Sequence, residues 1–144
     1  MKKKVGVVVA AVALLALAGG LSLNAVRASG GITSTKAEAS LQANTVDPLA
    51  SGKAKSEQRT DRTRFSVEVE DVSTSGPHAV HISRSGSEIL NSPVSVDVDA
   101  LGFGELELNT QDGAVNVPVV LAGDLVEVSN PGGTVVLSTT LAPK

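Results

Sequence analysis

Arg64-Phe65-Ser66-Val67-Glu68-Val69-Glu70 is the stretch that decides the fold class. Phe65, Val67 and Val69 alternate with Ser66, Glu68 and Glu70, the period-two pattern of a strand with one face buried and one in water. The pattern returns at Val94, Val96 and Val98 against Ser95, Asp97 and Asp99. It returns again at Leu106 and Leu108 against Glu105, Glu107 and Asn109, and at Val126 and Val128 around Glu127. Thr134 to Leu141 is rich in valine, leucine and threonine, and His78 to Ser83 makes a weaker strand through Ala79, Val80 and Ile82. Turn residues separate the runs at Ser75-Gly76-Pro77, Ser85-Gly86, Asp112-Gly113, Ala122-Gly123-Asp124 and Asn130-Pro131-Gly132-Gly133.

Upstream, Leu49 to Gln58 reads as a further edge strand whose lysines discourage edge-to-edge pairing. No helical period separates the runs, so nothing supplies the crossover that a parallel sheet needs. The expectation is an all-β fold, a small antiparallel Ig-like β-sandwich of about seven strands over residues 50–144. Its core must come from valine, leucine and isoleucine, because Phe65 and Phe103 are the only aromatics of the 144 residues. Residues 29–49 are mostly small and polar, and read as a flexible linker with at most a helical turn or two near Lys36 to Ala43.

The N-terminus reads as an address. Met1-Lys2-Lys3-Lys4 is followed by an apolar run from Val5 to Ala18, then Gly19-Gly20 and a more polar flank. That is the make-up of a secretory signal peptide over residues 1–28. Val26-Arg27-Ala28 offers the cleavage point between Ala28 and Ser29. The alternative is an uncleaved inner-membrane anchor over residues 5–26, the only route by which this chain would meet a membrane. In either case the remainder is expected outside the cytoplasm: periplasmic, on the cell surface or secreted.

Charge and composition exclude several functions. The first 28 residues carry +4, residues 29–64 carry +2, and from Phe65 onward eleven acids face Arg84 and Lys144 alone, giving −9. An acidic domain repels nucleic acid, which is set aside as a partner. The absence of cysteine removes a disulfide framework, a thiol nucleophile and Cys-ligated metals. With so few aromatics, stacking on sugars or single strands is also removed.

Candidate chemistry is sparse. His78 and His81 are the only histidines, and on a strand their spacing of three points them to opposite faces. The run His78-Ala79-Val80-His81-Ile82-Ser83 resembles the copper-binding strand of copper–zinc superoxide dismutases, which carries His-x-x-His-x-His. Here Ser83 stands at the third position, which puts a copper site in doubt. Asp97, Asp99 and Gly102 resemble the start of a calcium loop, but Leu101 stands where a third oxygen ligand belongs. Pairing across a hairpin with Glu105 and Glu107 would gather four carboxylates on one patch. Lys53, Lys55, Arg59, Arg62 and Arg64 form a basic stretch, read either as a solvated edge or as a dock for an acidic surface. No Gly-x-Ser-x-Gly or Ser-x-x-Lys motif and no phosphate loop is present, so the chain reads as a non-enzyme with no cofactor.

The strand and hairpin order of Arg64 to Glu70, Val96 to Leu108 and Ala122 to Val128 resembles β-sandwich modules of uncharacterised exported bacterial proteins, over residues 50–141. That resemblance implies a fold and no site residues. The functional expectation is a non-catalytic interaction or structural module with a protein partner in the cell envelope. The alternative is a weak calcium or copper binder using the acidic hairpin or the two histidines.

Overall fold

Each run of alternating valines forms a strand, and the computed structural model, which describes residues 34–144, holds ten of them. They are β1 (Thr35–Ala43), β2 (Ser51–Arg59), β3 (Arg62–Glu70), β4 (Gly76–Arg84), β5 (Ser87–Glu88), β6 (Val94–Val98), β7 (Gly104–Asn109), β8 (Leu125–Ser129), β9 (Val135–Thr140) and β10 (Ala142–Pro143). A 3-10 turn at Thr110–Asp112, capped by the Asn109 side chain, follows β7. Every pairing is antiparallel.

The order around the sheet is β1-β2-β3-β7-β6-β4-β8-β9, and β9 then returns to β1 through Gln42↔Ser138 and Ala43↔Leu137. Eight strands therefore close into a barrel, with β5 beside β4 and β10 beside β1 as extras. This corrects the expected seven-strand Ig-like sandwich. The all-β reading stands, but the two separate sheets do not exist. The reason lies in β1. Lys36, Glu38, Ser40 and Gln42 alternate with Ala37, Ala39, Leu41 and Ala43, and this nine-residue strand lies inside the stretch read as a linker. Placed between β2 and β9, it covers two edges that a sandwich would leave unpaired.

The inner faces of β1 and β2 are lined by small residues, Ala37, Ala54 and Ser56 among them. That leaves room for Phe65, Ile82 and Leu137, the bulkiest wholly buried apolar side chains. At Gly52 the wall comes so close to β3 that a Cβ would collide with the Glu68 carbonyl oxygen, so only glycine fits. Outward-facing residues are charged or polar: Lys53, Lys55, Glu57 and Arg59 on β2, Arg64, Ser66 and Glu68 on β3. A barrel that spans lipid has the opposite polarity, with an apolar band outside.

Strand direction sorts the connections into two ends. Residues 44–50, 71–75, 99–103 and 130–134 lie at one end, where β4, β7 and β9 begin. Residues 60–61, 85–93 and 110–124 lie at the other.

Candidate functional site

The two histidines do not meet. His78 on β4 points into the barrel, is fully buried, and its Nδ1 lies 2.9 Å from the Gly76 carbonyl oxygen, while Nε2 has no partner among the described residues. His81 points outward and sits 2.7 Å from Glu88 Oε1 on β5. A buried imidazole that uses one nitrogen on its own strand is a core residue held in place.

The four carboxylates of the expected acidic hairpin do not form one cluster. β6 and β7 pair only at Val98↔Gly104, so Asp97 and Asp99 do not lie in a ladder with Glu105 and Glu107. Asp99 Oδ1 accepts hydrogen bonds from the backbone N–H of Leu101 at 2.7 Å and Phe103 at 3.1 Å, so this acid organises its own loop. Glu107 is bound by Arg64 Nη2 at 2.6 Å, and Glu105 stands opposite Glu68. Among the described residues, no three of His, Asp and Glu gather closely enough to hold a metal ion.

The basic stretch has a different setting from the one expected. β2 is no edge, since it pairs along its length with both β1 and β3. Its Glu57, nearly buried, accepts from Arg59 Nε at 2.9 Å and from Arg62 Nη2, with Lys36 Nζ at 3.4 Å. Burial alone would raise the Glu57 pKa. The two arginines outweigh it and hold the carboxyl at about 2, against an ordinary 4.5.

Periodicity leaves the loops unread, and there the structure shows a feature of its own. Four large apolar side chains are exposed on the connections of one end: Val46 (54%), Leu49 (79%), Leu101 (88%) and Phe103 (43%). Leu90, Val115 and Val119 are exposed at the other end as well, and exposure alone carries no meaning; what sets these four apart is that they occupy two loops braced against one segment. Asp47, itself buried, accepts from the Ser73 N–H at 2.8 Å, and the Val72 N–H donates to the Gly102 carbonyl at 3.1 Å. Residues 44–50 and 99–103 are thus both tied to Val72–Ser73. Gly102 has φ +85°, and a Cβ there would stand 2.7 Å from the Val72 carbonyl oxygen, so the crossing needs glycine.

Around this end lie Glu68, Glu70, Asp71, Asp97 and Glu105, none within 4 Å of a cation among the described residues. Glu68 and Glu70 border an open recess of about 420 Å³ on the outer face of β1 to β3. Glu68 directly opposite Glu105 is an unfavourable pairing for the free barrel.

The expected signal segment, its cleavage point between Ala28 and Ser29, and the alternative anchor all lie outside the described residues. A scan against models of known families finds no match for the chain, and a search of curated proteins finds none either.

Proposed function

We propose that this protein is an exported, non-catalytic binding module that presents the end carrying Leu49, Leu101 and Phe103 to a protein partner. The observation that carries this reading is the coincidence of exposed apolar tips with a rigid, cross-braced loop set. Loops fixed on a closed barrel lose little freedom on binding, so more of the apolar contact survives as affinity. The unneutralised acids around the end give the partner's chemistry: an apolar centre rimmed by lysine and arginine. The packed valine interior leaves the work to the outer surface.

The test is site-specific photo-crosslinking in the native host, with the reactive side chain at position 101 and, as control, at position 115 on the opposite end. The expected result is one discrete protein adduct from position 101, lost when Leu49 and Phe103 are both changed to serine. The adduct is weakened by high salt. Equal adducts from both positions, or one that survives the double change, overturn the reading.

A further inference from the structure

Residues 34–144 carry eight basic and fifteen acidic side chains, and seven of the eight basic ones stand on a single face. These are Lys36 on β1, Lys53, Lys55 and Arg59 on β2, Arg62 and Arg64 on β3, and Lys144 beside β10. Only Arg84 lies elsewhere. A barrel with a net charge of −7 over these residues has therefore sorted nearly all its cations to one side of the molecule.

At the centre of that face is an open cleft of about 210 Å³, lined by Lys36, Lys55, Arg64 and Lys144 together with Glu38 and Glu57. Both lining carboxylates are already committed. Glu57 is bound by Arg59, Arg62 and Lys36, and Glu38 by Lys144 at 2.8 Å and Lys53 at 3.9 Å. Arg64 is held at the rim by Glu107. Lys55 faces Glu38 in register yet stops short of ion-pair distance, and among the described residues it pairs with no carboxylate. Cations in the lining outnumber acids by two, and one of them is unpaired.

We propose that this cleft binds a small oxyanion of the phosphate class, seated against Lys55 and Arg64, with Lys36 and Lys144 closing the rim. Size decides between a small anion and a large one. Screening confines the field of exposed charges to about 8–10 Å, so a small oxyanion in the cleft responds to the local cations. A polyanion or an extended anionic surface would also meet the acids that surround the face. Arginine adds a planar fork suited to oxyanions and the lysines add point charges. The group can arrive as free phosphate or as the exposed headgroup of a phosphate ester.

The test is a ¹⁵N-amide NMR titration of the protein purified from expression of the full chain. Inorganic phosphate is compared with sodium chloride at matched ionic strength. Saturable, millimolar shifts are expected, confined to amides at Lys36, Lys55, Arg64, Ser66 and Lys144, with no equivalent in chloride. Lys55→Gln breaks no ion pair and leaves the melting temperature unchanged, and it weakens phosphate binding by about fivefold, the worth of one partly exposed charge contact. Matching shifts in chloride, shifts spread over all exposed cations, or unchanged affinity in K55Q overturn the proposal. Parallel titrations with glycerol phosphate and with phosphatidylglycerol vesicles identify the source. Competition by vesicles assigns the site to a headgroup, and binding of phosphate without vesicle capture assigns it to the free anion.

Discussion

Arg84 grips both carboxylate oxygens of the buried Asp124, Nε to Oδ1 and Nη2 to Oδ2, each at 2.7 Å. Burial would raise the Asp124 pKa, but Arg84 and the Leu121 N–H, which also donates to Oδ2, pull it below its ordinary value. The same guanidinium donates to the Val119 carbonyl at 3.0 Å. One arginine at the end of β4 thus fastens the long connection of residues 110–124 to the barrel. Arg84→Ala leaves a buried carboxylate with one backbone donor. We expect a loss of about 2 kcal/mol, less than for a fully buried pair because the guanidinium is partly in water. Arg84→Lys recovers only part of it, since a lysine cannot reproduce the two-point grip. Urea unfolding of the three proteins measures the difference.

Glu57 predicts how stability follows pH. Its carboxyl stays ionised down to about 2 in the folded protein, against 4.5 ordinarily. Above 4.5 the group is charged in both states and its pairing stabilises in full. Between 4.5 and about 2 the unfolded chain takes up a proton that the folded chain does not, so stability falls as pH falls. Asp124 and Glu38 shift in the same direction. The urea midpoint should therefore drop across this window. In Glu57→Gln the drop is shallower, and the advantage of the unchanged protein over the variant disappears near pH 2.

The strand at Thr35–Ala43 makes a prediction about boundaries. A fragment of residues 50–144 matches the domain read from the sequence, but it lacks β1 and leaves β2 and β9 with open edges. We expect it to lack a cooperative thermal transition, whereas residues 34–144 melt cooperatively. Calorimetry on both separates the closed barrel from a self-sufficient sandwich.

Asp99 supports a fourth prediction. Asp99→Ala removes the acceptor of two loop N–H groups and costs about 1 kcal/mol. Gly102→Ala forces a Cβ against the Val72 backbone at a positive φ and costs about 1–3 kcal/mol. Both changes should speed amide exchange at Leu101 and Phe103 and reduce the crosslink from position 101, with less effect on β8 and β9.

Much of the barrel is visible in the sequence because valine against glutamate or aspartate is a high-contrast alternation, and β3, β6 and β8 follow it directly. β1 alternates just as strictly, but with alanine inside, and a buried alanine removes too little apolar surface to stand out from a polar linker. Closure is not a local property. Ala43↔Leu137 joins residues almost a whole domain apart, and no period along the chain announces it. The braced end was hidden for a related reason, since periodicity says which side chains face inward and nothing about which loops share an end. Asp99 shows the cost of reading residue types alone. Its spacing from Asp97 suggested a cation ligand, and its oxygen is spent on backbone donors two and four residues ahead.

The seam between β9 and β1 also sets a timetable. Among the described residues, the first strand to leave the ribosome is the partner of nearly the last, so the cylinder cannot shut until the β8–β9 hairpin has been made. Before that moment the polypeptide is an unzipped ribbon with its valines uncovered, and pairings of such long sequence separation form in milliseconds to seconds rather than microseconds. That interval is when a holdase would have the most surface to grasp.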